Sequence, residues 1–183
     1  MPTHTFLIRH GQSTFNERFA ATGIDPLHYD ARLTSKGRAQ VNATKEAAQQ
    51  LAVDLVIVSP LTRAIETALG LFGPEQTRII VSPLHRERLG NSCDIGRRPD
   101  ELSVEFPMLN FSHLDELWWH NGPEDSRGVA FEPDEVVSER MAKFSKWLIK
   151  RPEQRLAVVG HGTFFHRLTG RHFDNCEIVK WHP

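Results

Sequence analysis

The stretch DLVIVSPLTRAIETALGLF, residues 54–72, joins two periodicities at one proline. Leu55 to Val58 is a continuous apolar run, too short for a helix and without the alternation of a half-exposed strand. It predicts a strand buried on both faces. Pro60 ends the run. From Leu61 the apolar residues return at Ala64, Ile65, Ala68 and Phe72, on one side of a helix running to about Phe72. A doubly buried strand that turns at once into a helix is the repeating unit of a parallel or mixed sheet covered on both faces.

The same alternation recurs to either side. Upstream, Phe6 to Ile8 predicts a short buried strand. LTSKGRAQVNATKEAAQQLA, residues 33–52, predicts a helix with Val41, Ala48, Leu51 and Ala52 on one face and Thr34 or Ser35 as N-cap. Between them, Phe15 to Arg32 carries Gly23, Asp25-Pro26 and Asp30, and predicts a loop. Downstream come a third strand in RIIVSP (78–83) and a helix over Glu135 to Lys150. A fourth buried strand covers Arg155 to Gly162, and Cys176 to Trp181 forms a closing edge strand. Residues 88–133 are irregular and rich in Pro, Gly, Asn, Ser and aromatics. That is too long for a featureless loop, so short helices forming a lid or wall are expected. The expected fold is α/β: a three-layer α/β/α sandwich with a mostly parallel central sheet and one antiparallel edge strand, in one domain spanning residues 1–183.

Bulk properties narrow the function. A net charge of -1 argues against nucleic-acid binding driven by overall charge. No stretch has the apolar length of a membrane span, and the first strand begins too close to Met1 for a signal peptide. Cys93 and Cys176 form neither a disulfide framework nor a zinc spacing. A soluble cytoplasmic protein is expected, with no nucleic-acid or membrane partner.

Four apolar runs end in chemically useful residues: Arg9-His10-Gly11, Ser59-Pro60-Leu61-Thr62-Arg63, Pro83-Leu84-His85-Arg86-Glu87 and Gly160-His161-Gly162. Ligands of open α/β sheets bind outside the carboxyl ends of the strands. Four parallel strands would therefore gather His10, His161, Arg9, Arg63 and Glu87 at one edge. That set suits phosphoryl transfer. A neutral imidazole can attack phosphorus when its other nitrogen is held by a hydrogen bond. Two guanidinium forks stabilise the nonbridging oxygens, and a second histidine, when protonated, adds a donor. A carboxylic acid can protonate the leaving alkoxide and then activate water. Arg63 falls in the first turn of a helix, whose N-terminus also attracts phosphate. Gly11, Gly160 and Gly162 would let the backbone approach the phosphate.

LIRHGQSTFN (7–16), DARLTSKGRAQ (30–40), SPLTRAIETA (59–68) and VVGHGTFFHRLTG (158–170) resemble, in order, the blocks of the histidine phosphatase superfamily, the phosphoglycerate-mutase-like group. The resemblance runs from Thr5 to about Val179 and is weakest between Arg88 and Pro133. It implies that His10 is the nucleophile that becomes phosphohistidine and Glu87 the general acid. Arg9, Arg63 and His161 would clamp the phosphate, with Asn16 and Gly162 lining its pocket and Gly90 standing where the family usually has a glycine. Where the family usually shows a Trp-Glu-Gly-like element, this chain has Cys93-Asp94-Ile95-Gly96, which makes Asp94 the alternative acid. The implied activity is metal-independent hydrolysis of a phosphomonoester. The substrate would be a phosphorylated small molecule, or alternatively a phosphorylated protein side chain.

A mutase is the nearest alternative, but family mutases usually carry a longer insertion than the segment before Pro133. A non-catalytic phospho-ligand binder would have no need of His10. No metal or cofactor is expected: His161, His166 and His172 do not share a helical face, and no His-Glu-x-x-His pattern occurs. Arg97-Arg98 reads as a solvated pair more readily than as a second anion site. Trp118-Trp119, Phe106 and Phe111 read as core rather than pocket wall.

Overall fold

The computed structural model describes residues 2–182. The chain runs β1 (His4–Arg9), α1 (Thr14–Thr22), α2 (Ser35–Gln50), β2 (Leu55–Val58), α3 (Thr62–Phe72) and β3 (Ile79–Val81). It continues through α4 (Pro99–Glu105), α5 (Asp134–Ile149), β4 (Arg155–Gly160), α6 (Gly162–Thr169) and β5 (Ile178–Trp181). Short 3₁₀ turns cover Pro83–His85 and Ser92–Asp94.

The five strands lie in the order β3-β2-β4-β1-β5. The first four are mutually parallel, with Ile8 and Val58 both opposite Val159 in β4; β5 runs antiparallel to β1 at the edge. The central strands are apolar on both faces because each face has its own core. Ile8, Val56, Val58, Ala157 and Val159 point toward α2 and α3, meeting Val41, Ala48, Ile65 and Leu71. Their neighbours Leu7, Leu55, Ile57, Leu156 and Val158 point the other way, onto Phe144 and Leu148 of α5 and Phe164 and Phe165 of α6. This is the three-layer arrangement expected from residues 54–72, with the parallel sheet and the antiparallel edge strand in their expected places.

Thr34 caps α2, its hydroxyl accepting from Gly37 N at 2.9 Å. Two elements depart from expectation. Phe15 to Arg32 is not wholly loop, because α1 occupies it as far as Thr22. Ser13 and Asn16 form a reciprocal cap, and Gly23 ends the helix in the left-handed region at φ 67°. Phe15 alone in α1 is buried, so the helix lacks the apolar stripe that would have marked it. The second departure is α6, a helix that begins directly after His161 and stops at Gly170, φ 73°.

In the segment 88–133 the one α-helix among the described residues, α4, is short, and ionic contacts hold other parts of the segment. Arg97 donates to Asp30 at 2.8 Å and to Thr62 Oγ1 at 2.7 Å, and pairs with Glu105 at 2.8 Å. Arg127 reaches Asp25 and Gly90 O. Trp118 is buried and donates to Arg97 O at 2.8 Å, so it is core, as expected. Arg98 pairs with Glu116 at 2.7 Å. Both arginines of the pair are thus engaged within the chain.

Candidate active site

The carboxyl ends of β1, β2, β3 and β4 open into one cavity of about 500 Å³. Arg9, His10, Asn16, Arg63, Glu87 and Gly162 all line it, as does Asp94. His161 does not line it; that side chain is fully buried, its ring centroid 5.2 Å from that of His10.

His10 follows the last residue of β1 and is fixed at both backbone atoms. Its N–H donates to Gly160 O at 3.0 Å, and its carbonyl accepts from Asn175 Nδ2 at 2.8 Å. The ring Nδ1 lies 2.7 Å from Gly11 O. A carbonyl only accepts, so Nδ1 carries the proton and Nε2 presents a lone pair. That lone pair accepts from Arg63 Nε at 3.2 Å. Burial, then the charges of Arg63 and Arg9, push the His10 pKa well below that of an ordinary histidine, so the ring is neutral.

Burial, then the charge of Arg63, holds His161 neutral as well. Its Nε2 meets Ser59 Oγ at 2.7 Å, while Nδ1 is buried without a partner.

Arg63 is stretched across the site. Besides His10, it donates from Nη1 to Cys93 O at 2.6 Å and from Nη2 to Asp94 Oδ1 at 2.9 Å. Asp94 is therefore the counter-ion of Arg63. Burial, reinforced by the Glu87 charge and opposed by Arg63, lifts its carboxyl to about 6. At the N-terminus of α3, Asp30 already accepts from Thr62 N at 2.8 Å and from the Thr62 hydroxyl. Arg9 has more to give. Its Nη1 donates to Phe173 O at 2.6 Å, but its buried Nε has no partner.

Glu87 occupies the N-terminus of α6. Oε2 accepts from Thr163 N at 2.9 Å, and Oε1 accepts from Phe164 N at 2.9 Å and Arg88 N at 3.0 Å. His161, the N-cap residue of α6, makes no side-chain cap of its own. Glu87 thus supplies the cap from another loop, where the helix dipole favours a carboxylate. A carboxylate has about four acceptor positions. Three are filled, which leaves one on Oε2.

Asn16 serves α1 and the cavity at once: its Oδ1 accepts from Ser13 N at 3.1 Å. The glycines are explained differently from the expected approach to phosphate. A Cβ on Gly11 would sit 2.8 Å from Gly37 O, one on Gly160 would sit 2.8 Å from the Phe165 ring, and one on Gly162 would sit 3.1 Å from Arg9 Nε. They let the chain's own elements close around the site.

Sequence reasoning missed four supporting residues: Ser59, Thr67, Asn175 and Phe173. Thr67 Oγ1 accepts from Gly11 N at 3.1 Å. Ser59 carried a signal, standing at the end of an apolar run in the SPLTR block. Thr67 and Asn175 carried none, since their partners lie 56 and 165 residues away. Among the described residues, no group of three or more His, Cys, Asp and Glu side chains could hold a metal ion, and no helix is long and apolar enough to cross a membrane.

An anion-shaped cluster with an unprotonated imidazole nitrogen at a parallel-sheet edge is the outline of a phosphate-ester enzyme. The profile of the histidine phosphatase superfamily (branch 1) matches residues 5–182, and the chain belongs to that superfamily. It is 31% identical over 209 residues to a phosphoglycerate mutase-like protein of Arabidopsis thaliana, covering 93% of this chain and 74% of the relative. It is 27% identical over 161 residues to the glucosyl-3-phosphoglycerate phosphatase of Mycobacterium tuberculosis, covering 85% and 69%. The fold superposes on the alpha-ribazole phosphatase of Shigella flexneri with a TM-score of 0.67 and 22% identity, over 97% of this chain and 89% of that one. The protein is accordingly an enzyme acting on phosphate esters.

Proposed function

We propose that the protein is a phosphatase that hydrolyses a phosphomonoester of a small molecule through a covalent phosphohistidine on His10, without a metal. The observation that carries this reading is the state of the His10 ring. Its Nδ1–H is tied to Gly11 O, it is neutral, and its Nε2 lone pair is turned to an arginine-lined cavity.

In the first step the Nε2 lone pair forms a bond to phosphorus as the bond from phosphorus to the ester oxygen breaks. Glu87, protonated at its remaining Oε2 position, gives its proton to the departing alkoxide. Arg9, through its unpaired Nε edge, and Arg63 hold the nonbridging oxygens. His161 supports them. If its Nε2 accepts from the Ser59 hydroxyl 2.7 Å away, its unpartnered Nδ1 carries the proton and is a spare donor. In the second step water loses a proton to the Glu87 carboxylate and attacks phosphorus. The bond to Nε2 then breaks, and phosphate leaves.

A cavity of about 500 Å³ is the size of a small-molecule site, which favours a phosphorylated metabolite over a protein side chain. Cys93 and Cys176 are both free thiols, which supports a reducing, cytoplasmic setting. The mutase-like name of the Arabidopsis relative favours a second reading, phosphoryl exchange on a phosphoglycerate.

One experiment separates the readings. An aryl phosphate, a panel of phosphorylated metabolites and the two phosphoglycerates are incubated with wild type and His10→Ala, with EDTA present. Release of phosphate by wild type alone, with an acid-labile phosphoprotein missing from His10→Ala, is the expected result. Turnover by His10→Ala refutes the mechanism. Interconversion of the phosphoglycerates without phosphate release replaces phosphatase by mutase.

A further inference from the structure

Glu87 is flanked by a buried ionic cluster that none of the steps above uses. Glu132 is fully buried. Its Oε1 accepts from Arg86 Nη2 at 2.7 Å and Arg140 Nε at 3.1 Å, and its Oε2 accepts from Arg140 Nη2 at 2.9 Å and Leu89 N at 3.2 Å. Its main chain grips the same segment: Glu132 N donates to Leu89 O at 2.8 Å, and its carbonyl accepts from Arg88 Nε at 2.9 Å. Arg140, from α5, adds two further holds through Nη1, to Leu84 O at 3.1 Å and Arg86 O at 2.8 Å.

The holds therefore fall on residues 84, 86, 88 and 89. Glu87 stands in their midst, untouched by the cluster, with its carboxylate turned across to α6. Arg140 reaches that side as well. Its guanidinium lies 5.2 Å from the Phe164 ring centroid, and Phe164 N is one of the three donors to Glu87.

Stability alone gives no reason for such a cluster. Taking one carboxylate and two guanidiniums out of water is expensive, and well-packed apolar residues of similar volume are often as stable or more so. The cluster is not even balanced: burial and the charge of Arg140 push the Arg86 guanidinium down to about 10, and Arg86 Nε finds no partner. What forked ionic contacts provide and apolar packing does not is a fixed direction. A buried carboxylate with four donors, two of them from one guanidinium, has one orientation available. Neither Arg86, Glu132 nor Arg140 lines the cavity, so none of them can touch a substrate.

We propose that Glu132 and Arg140 are positioning residues for proton transfer: together they clamp residues 84–89 so that the Glu87 carboxylate is held at the α6 N-terminus, facing the leaving group. The proposal rests on the phosphatase reading for the role of Glu87 and on the geometry alone for the clamp. General-acid catalysis demands that the acid be within hydrogen-bond reach of the departing oxygen. A shift of about 1 Å in a supporting residue can cost about 10²-fold in rate.

The test uses Glu132→Gln, which keeps the shape and loses the charge, and Arg140→Lys, which keeps the charge and loses the fork. Should one fail to fold, the other carries the same readouts. The first readout is amide hydrogen exchange at Thr163 and Phe164, whose N–H groups donate to Glu87. Loosening of the clamp raises exchange there about tenfold or more while protection in β1 and β4 is unchanged. The second readout is kcat on an alkyl and an aryl phosphate. The alkyl ester, which needs its leaving group protonated, loses about 10²-fold. The aryl ester loses less than about tenfold, with KM unchanged for both.

Wild-type exchange at Thr163 and Phe164 overturns the proposal. So does equal loss on the two esters in a background where Glu87→Gln discriminates between them. Failure of the acid assignment looks different: exchange rises as expected, yet Glu87→Gln slows both esters alike.

Discussion

Acid should unfold this protein unusually early, and the cause lies in three histidines. His10, His85 and His161 are all buried and all held neutral in the folded state. For His85 burial is the chief cause, lowering its pKa from 6.5 to about 3; its Nε2 lies 3.1 Å from Val159 O, its Nδ1 is unpartnered, and its ring sits 5.1 Å from that of Phe144. A histidine with a depressed folded pKa takes its proton only in the unfolded chain. Its stabilising contribution is complete above about 6.5 and is lost as pH falls toward the folded value. Between about pH 7 and pH 5 His85 loses about 2 kcal/mol, and His10 and His161 lose stability in the same direction. Asp94 works the other way. Its carboxyl is raised from 3.8 to about 6, so protonation there returns about 1 kcal/mol over the same interval. His85 outweighs Asp94, and His10 and His161 add to the loss, so stability falls between the two pH values. Urea unfolding at the two pH values measures it directly. His85→Leu should shrink the difference by about 2 kcal/mol, since one of the three titrating groups is gone. No fall in wild type, or an undiminished one in His85→Leu, would show that these rings do not stay neutral on folding.

Two substitutions probe the site more locally. Glu87→Gln removes the charge that caps α6 and sets an amide N–H against one of the three backbone donors. It should cost about 2 kcal/mol, read as a fall of roughly 4–8 °C in Tm, while kcat on an alkyl phosphate drops about 10²-fold or more and an aryl phosphate is much less affected. An unchanged Tm would contradict the capping geometry. Gly37→Ala places a Cβ 2.1 Å from Gln12 O, a backbone atom that cannot swing aside. A loss of about 3 kcal/mol or more is expected, and a wild-type denaturation curve would mean that α2 does not abut the segment after His10 as described.

The alternation of doubly buried strands and helices was legible because it is local. Leu55 to Val58 and Leu156 to Val159 carry their burial in their composition, and Thr34 announces the start of α2. Arg9, His10, Arg63 and Glu87 were legible for a related reason: each stands just past an apolar run, and parallel pairing brings such ends together. The helix α1 was not legible, because it is held by caps at Ser13 and Gly23 and buries only Phe15.

The partners within the site were hidden by distance along the chain. Nothing near Glu87 announces that its carboxylate will cap a helix 76 residues later, nor does Glu132 advertise that it reaches back 46 residues to Arg86. The neutral state of His161 was not legible either: a further cation in that enclosure would add to Arg9 and Arg63 without water to screen it. Likewise Asp94, which its residue type made a candidate acid, is held by the arginine it serves.

The hydrogen bond from Arg63 Nε to His10 Nε2 has a consequence for selectivity. On the proposed mechanism, the lone pair that attacks phosphorus is occupied by Arg63 until Arg63 is offered a better acceptor, and an anionic phosphate oxygen is one. On that proposal a neutral electrophile would offer no such exchange and would meet a nucleophile already engaged, whereas the incoming ester would unlock its own attacker with its own charge before any contact with a leaving group is made.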